Sequence, residues 1–111
     1  MDAPWLKSLP IAITVTNKEG KIIQMNDKSA EVFAKYGGYD LIGKELNNCH
    51  NLHSREIIAG LLANDTTNTY TIEKDGKRKL IYQSPWYENE KPAGLIEISI
   101  VLPDEMPHFK R

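Results

Sequence analysis

Three residues with ligand chemistry stand close together: Cys49, His50 and His53, the single cysteine and two of the three histidines of the chain. Thiolate and imidazole are ligands for zinc and for haem iron. A structural zinc site requires a fourth ligand, and His108 is the remaining histidine. Cys-His without an upstream Cys-x-x is not the haem-attachment signal. A plainer reading competes with metal binding. His50 or His53 satisfies backbone groups near a helix start at Ser54, and Cys49 is a small buried residue. No metal site is committed, and Cys49, His50 and His53 are the candidates for one.

Other residue types offer less chemistry. Tyr82 and Trp86 lie on one strand-like run and could stack on a ligand, although aromatic strand residues usually pack in a core. None of Ser8, Ser29, Ser54, Ser84 and Ser99 sits in a nucleophile-elbow sequence, and no glycine-rich phosphate loop is present. Asp27 and Glu31 share a helix face that solvation explains. No catalytic residue is assigned, and an enzyme is not expected.

The totals place these residues in a small domain. One hundred and eleven residues suit one domain, and 41% hydrophobic residues suffice for a single core. A net charge of -1 gives no electrostatic reason to expect nucleic acid or an anionic membrane as partner. The one basic cluster, KDGKRK at 74–79, reads as a hairpin turn with solvated flanks. A lone cysteine excludes an internal disulfide, no leader pattern opens the chain, and the apolar runs are too short for a bilayer. A cytoplasmic location is expected.

The elements that must position the candidates follow from periodicity. Trp5, Leu6 and Leu9 suit a short helical turn that Pro10 breaks. IAITVT at 11–16 alternates as a half-buried strand, a turn follows at 17–20, and KIIQM at 21–25 completes a hairpin. Asn26 or Asp27 can cap a helix over 28–36, which Gly37 and Gly38 end. Ile57, Ile58, Leu61 and Leu62 form one apolar helical stripe after Ser54. Residues 66–72 read as a strand by propensity, Asp75-Gly76 as a hairpin turn, and 78–87 as the return strand. In that strand Leu80, Tyr82 and Ser84 share one face, and Ile81, Gln83 and Pro85 the other. Pro85 marks an edge, bulge or bend. GLIEISIVL at 94–102 is the last strand. Ile96, Ile98 and Ile100 face one way; Leu95, Glu97, Ser99 and Val101 face the other, where Glu97 and Ser99 suggest solvent. The order is two strands, a helical middle and three strands. It predicts an α+β fold, one antiparallel sheet with helices across one face and a ligand pocket between.

That order, with particular residues, resembles the PAS sensor domain. IAITVTNKEGKIIQMN is similar to the opening hairpin and the Asn that begins a helix. NDKSAEVFAKYGGYDLIGKEL is similar to the helix and connection after it, and AGLIEISIVL to the closing strand. CHNLHSREII followed by GLIEIS resembles a subgroup with a Cys-His element before its long helix. The resemblance implies a five-stranded sheet and a domain over residues 10–102. Residues 1–9 would be a docking segment and 103–111 a tail. It further implies non-catalytic signal sensing through a small ligand or a partner protein, often as a homodimer. On this footing the pocket is expected at His50, His53, Ile57, Leu61, Tyr82, Trp86, Ile96 and Ile98. Haem held by His50 or His53 is the better of the metal options, because a PAS-like pocket can take it. Flavin is not expected: Asn48-Cys49-His50-Asn51-Leu52 lacks the Arg and Phe of the light-sensing segment. A ligand-free interaction module is the alternative.

Overall fold

The computed structural model describes residues 1–44, 60, 61, 63, 64 and 66–111. Five strands form one antiparallel sheet: β1 (Ala12–Asn17), β2 (Ile22–Met25), β3 (Asn68–Lys74), β4 (Lys77–Glu88) and β5 (Lys91–Val101), in spatial order β2-β1-β5-β4-β3. Two local hairpin systems thus join along β1 and β5, where the first and last strands of the chain pair at the centre of the sheet. Short helices α1 (Pro4–Lys7) and α2 (Asp27–Val32) accompany the sheet, with 3-10 turns at Ala34–Tyr36 and Gly38–Leu41.

Turn chemistry accounts for the hairpins. Asn17 Oδ1 accepts from the amides of Glu19 and Lys21, which closes the β1–β2 turn. Asp75 and Gly76 both take positive φ, the geometry that matches strand twist in a two-residue loop joining Lys74 to Lys77. Pairing between β3 and β4 runs only as far as Asn68 opposite Gln83, so Pro85 lies where β4 has lost one neighbour. An irregularity follows between Trp86 and Tyr87.

Strand register assigns the faces. Thr14 pairs with Glu97, Gln83 with Glu97, and Ile81 with Ser99, so these side chains share one face. That face carries α2: Thr14 Oγ1 and Ser29 Oγ share a buried hydrogen bond of 2.5 Å. Glu97 and Ser99 therefore lie on the helix side, not on the solvent side suggested by their polarity. Small residues explain the choice. Ala12 and Thr14 on β1 and Ala30 on α2 are buried and leave room for close approach, which a row of isoleucines would prevent. Ile13, Val15, Leu80, Tyr82, Ile96, Ile98 and Ile100 occupy the opposite face.

The core lies at one end of the helix-bearing face. Ile22, Met25, Leu41, Leu61 and Leu95 are buried together, with Phe33 packed against them. Each contributes about 1.5–3 kcal/mol by leaving water. The expected helix over 28–36 is shorter than its periodicity suggests. The Phe33 amide reaches the carbonyls of Ser29 and Glu31, α2 ends at Val32, and the chain tightens into the 3-10 turns.

An exposed latch ties α1 to this frame. Lys7 Nζ donates to Asp27 Oδ1 at 2.9 Å, and the Tyr39 hydroxyl donates to the same oxygen. The Tyr39 hydrogen bond, then that of Lys7, hold the Asp27 carboxyl below its ordinary value. The same contact raises Lys7 and Tyr39 above theirs. A lowered carboxyl contributes stability above its unfolded pKa and loses it as pH falls through the folded value. The raised groups contribute below their unfolded values and lose that contribution only at alkaline pH. Asp27→Asn is therefore expected to lower the melting temperature slightly at neutral pH. The difference from the unsubstituted protein should close in acid, as followed by melts across pH. A difference that persists at acid pH would argue against the latch.

Candidate functional site

Beyond the core, the helix-bearing face opens into a cleft of about 180 Å³. Val32 and Phe33, at the end of α2, form one wall. β1 supplies Ala12 and Thr14; β3 supplies Tyr70, Ile72 and Lys74; β4 supplies Lys79 and Ile81; β5 supplies Glu97 and Ser99. Strand alternation delivers these side chains to one surface.

A hydrogen-bonded row crosses the sheet beside this cleft. Asn68 Nδ2 donates to Gln83 Oε1 at 3.1 Å, and Gln83 Nε2 donates to Glu97 Oε2 at 2.8 Å. Gln83 is 3% exposed, so its amide is held at both ends in an environment that makes unpaired polar groups costly. Burial, then the Glu97 charge, pushes the Tyr70 phenol above its ordinary value. The arrangement is a largely apolar hollow with one oriented carboxylate, two lysines and three hydroxyl-bearing residues, Thr14, Tyr70 and Ser99. It can hold a small polar-ended molecule. Among the described residues, no cluster of three His, Cys, Asp or Glu side chains is placed to bind a metal ion.

The structure redistributes the residues expected at the pocket. Leu61 is buried in the adjoining core. Tyr82, Ile96 and Ile98 lie on the face away from the helices, because pairing sets them opposite one another and out of register with Thr14 and Glu97. Trp86 closes a strand junction instead: its Nε1 donates to the Thr16 carbonyl at 2.8 Å. Cys49, His50, His53 and Ile57 lie outside the described residues, as do the haem and metal readings that depend on the first three. Thr14, Phe33, Tyr70, Ile81, Glu97 and Ser99 line the cleft without having been expected at a pocket from the sequence. Their signal was present as two polar residues interrupting the most apolar strand.

No family model matches the chain, and no curated protein matches it. Solved structures do. The PAS domain of a protein from Colwellia psychrerythraea superposes with a TM-score of 0.66 at 25% identity, covering 88% of this chain and 91% of that one. The PAS domain of the histidine kinase ThkA superposes with a TM-score of 0.68 at 19% identity, covering 81% and 97%. VqmA bound to DPO gives a TM-score of 0.71 at 14% identity over 88% of this chain and 55% of that one, so the chain spans about half of VqmA. The fold is PAS-like: an α+β domain whose five-stranded antiparallel sheet carries short helices on one face.

Proposed function

We propose that the protein is a PAS-type sensing module in which a small molecule occupies the cleft between α2 and the sheet. Binding would shift helix–sheet packing and thereby a subunit or partner contact. The observation that carries this reading is the cleft itself, an apolar hollow with hydrogen-bonding groups placed on one side. The fold supports the class: similar structures include sensory PAS domains of histidine kinases and VqmA, which was solved with DPO. The role is non-enzymatic. The apolar outer face bearing Ile13, Val15, Tyr82, Ile96 and Ile98 suits a homodimer, and a separate signalling protein would receive the output. Among the described residues, no helix is long and apolar enough to cross a membrane. We read the setting as cytoplasmic, consistent with the lone cysteine.

Native mass spectrometry of the protein isolated from its own cells, paired with light scattering, tests the reading. The expected result is a dimer mass carrying a bound small molecule. A bare protein with no bound molecule would turn the reading toward a ligand-free interaction module. A monomer mass at high concentration would remove dimerisation.

A further inference from the structure

The polar side of the cleft is not neutral. Glu97 supplies a carboxylate whose orientation is set from behind by Gln83, and Gln83 is itself oriented by Asn68. The carbonyl end of the Gln83 amide is committed to Asn68, so its NH₂ end faces Glu97 and leaves the carboxylate as the acceptor. Glu97 is half-buried and borders the apolar side chains of Phe33, Ile72 and Ile81. Tyr70, whose phenol is pushed up by burial and then by the Glu97 charge, lines the same hollow. Lys74, exposed, and Lys79, half-buried, also line it, but among the described residues neither forms an ion pair with Glu97, whose second carboxylate oxygen stays open to a ligand.

A ligand entering this hollow exchanges hydration for the groups that line it. An anionic head beside Glu97 would be repelled by its charge and would have to turn to Lys74 or Lys79 instead. An ammonium head would donate to a carboxylate already held in place, and such charge-assisted bonds are the stronger kind. A bare metal ion would find too few ligands among the described residues. The volume, about 180 Å³, is below the ~300–1,000 Å³ typical of drug-sized sites, which limits the ligand to a compact body.

We infer that the cleft selects small organic ammonium compounds, with the ammonium on Glu97 and a compact apolar body against Phe33, Ile72 and Ile81. This rests on the sensing role proposed above. It assigns a ligand class that the fold does not specify.

The test uses three probes of similar shape: phenethylamine, the anion hydrocinnamate and phenethyl alcohol. Each is titrated into the ligand-free protein while the backbone amides of Thr14, Ile81 and Ser99 are followed by two-dimensional NMR. Phenethylamine is expected to move these amides and to bind about ten- to a hundredfold more tightly than hydrocinnamate. In Glu97→Gln, which keeps an oxygen acceptor for Gln83, that preference is expected to collapse. If this variant does not melt as a folded protein, the ranking of the three probes on the unsubstituted protein decides alone. Equal or tighter binding of hydrocinnamate at the same amides would overturn the ammonium preference and leave the cleft as a ligand site. If no probe moves any cleft amide and the isolated protein carries no ligand, both the preference and the sensing role are overturned.

Discussion

Asn26→Asp is expected to destabilise the protein by about 3 kcal/mol, nearly as much as Asn26→Ala, although aspartate is an equally good helix cap. The reason lies in the two ends of one buried amide. Asn26 Oδ1 accepts from the Ser29 amide at 3.0 Å, which caps α2, and from the Ile13 amide at 2.9 Å, which anchors β1. Aspartate preserves both. Asn26 Nδ2 faces the carbonyls of Ile11 at 2.7 Å, Leu6 at 3.1 Å and Leu9 at 3.4 Å. Aspartate would put an oxygen against these three oxygens. Asn26 is fully buried, so neither the carboxylate nor the orphaned carbonyls regain water. Alanine loses the cap and strands buried polar groups, each worth about 1–3 kcal/mol.

Chemical denaturation of the two variants separates the roles. If the cap alone mattered, the aspartate variant would match the unsubstituted protein within a few tenths of a kcal/mol. Asn26 also makes a local prediction. Its NH₂ holds the segment around α1, so amides at Leu6 and Lys7 should exchange faster in Asn26→Asp than in Asp27→Asn, which loosens only the exposed latch. Equal exchange in the two variants would contradict the assignment.

Gly94→Ala is expected to cost about 3 kcal/mol through a different mechanism, with a fall in Tm of roughly 12–20 °C. A Cβ at Gly94 would overlap the Thr16 carbonyl oxygen and come within 2.7 Å of Trp86 Nε1. Thr16 and Gly94 lie on adjacent central strands, and Trp86 donates to that same carbonyl. Relief therefore requires β1 and β5 to separate at one end of the sheet, beside buried Leu95. A clash with backbone cannot be removed by trimming a side chain, so Trp86→Phe in the Gly94→Ala background is expected to give no rescue. A single Gly94→Ala variant that melts within a degree of the unsubstituted protein would show that the strands yield freely, against the close contact described here.

Local pattern carried much of the fold. Asp75-Gly76 supplied the positive-φ pair of a hairpin turn, and Asn26 offered a cap at a place where an alternating strand gave way to helical spacing. Alternation also sorted Ile81, Gln83 and Pro85 from Leu80, Tyr82 and Ser84, and Ile96 and Ile98 from Glu97 and Ser99. These relations are local because a strand turns each successive side chain to the other face.

Alternation cannot say which face is covered, and here intuition about polarity pointed the wrong way. The isoleucine row lies away from the helices, whereas Thr14, Gln83, Glu97 and Ser99 lie toward them. The pairing of β1 with β5 and the approach of α2 over small residues made that choice. The Cys49, His50 and His53 cluster lies outside the described residues, and the cleft draws on β1, α2, β3, β4 and β5. From the sequence alone came the elements, their turns and the membership of each face. Tertiary structure decided which face carries the helices and the cleft, because hydroxyl matching and close approach depend on residues far apart in the chain.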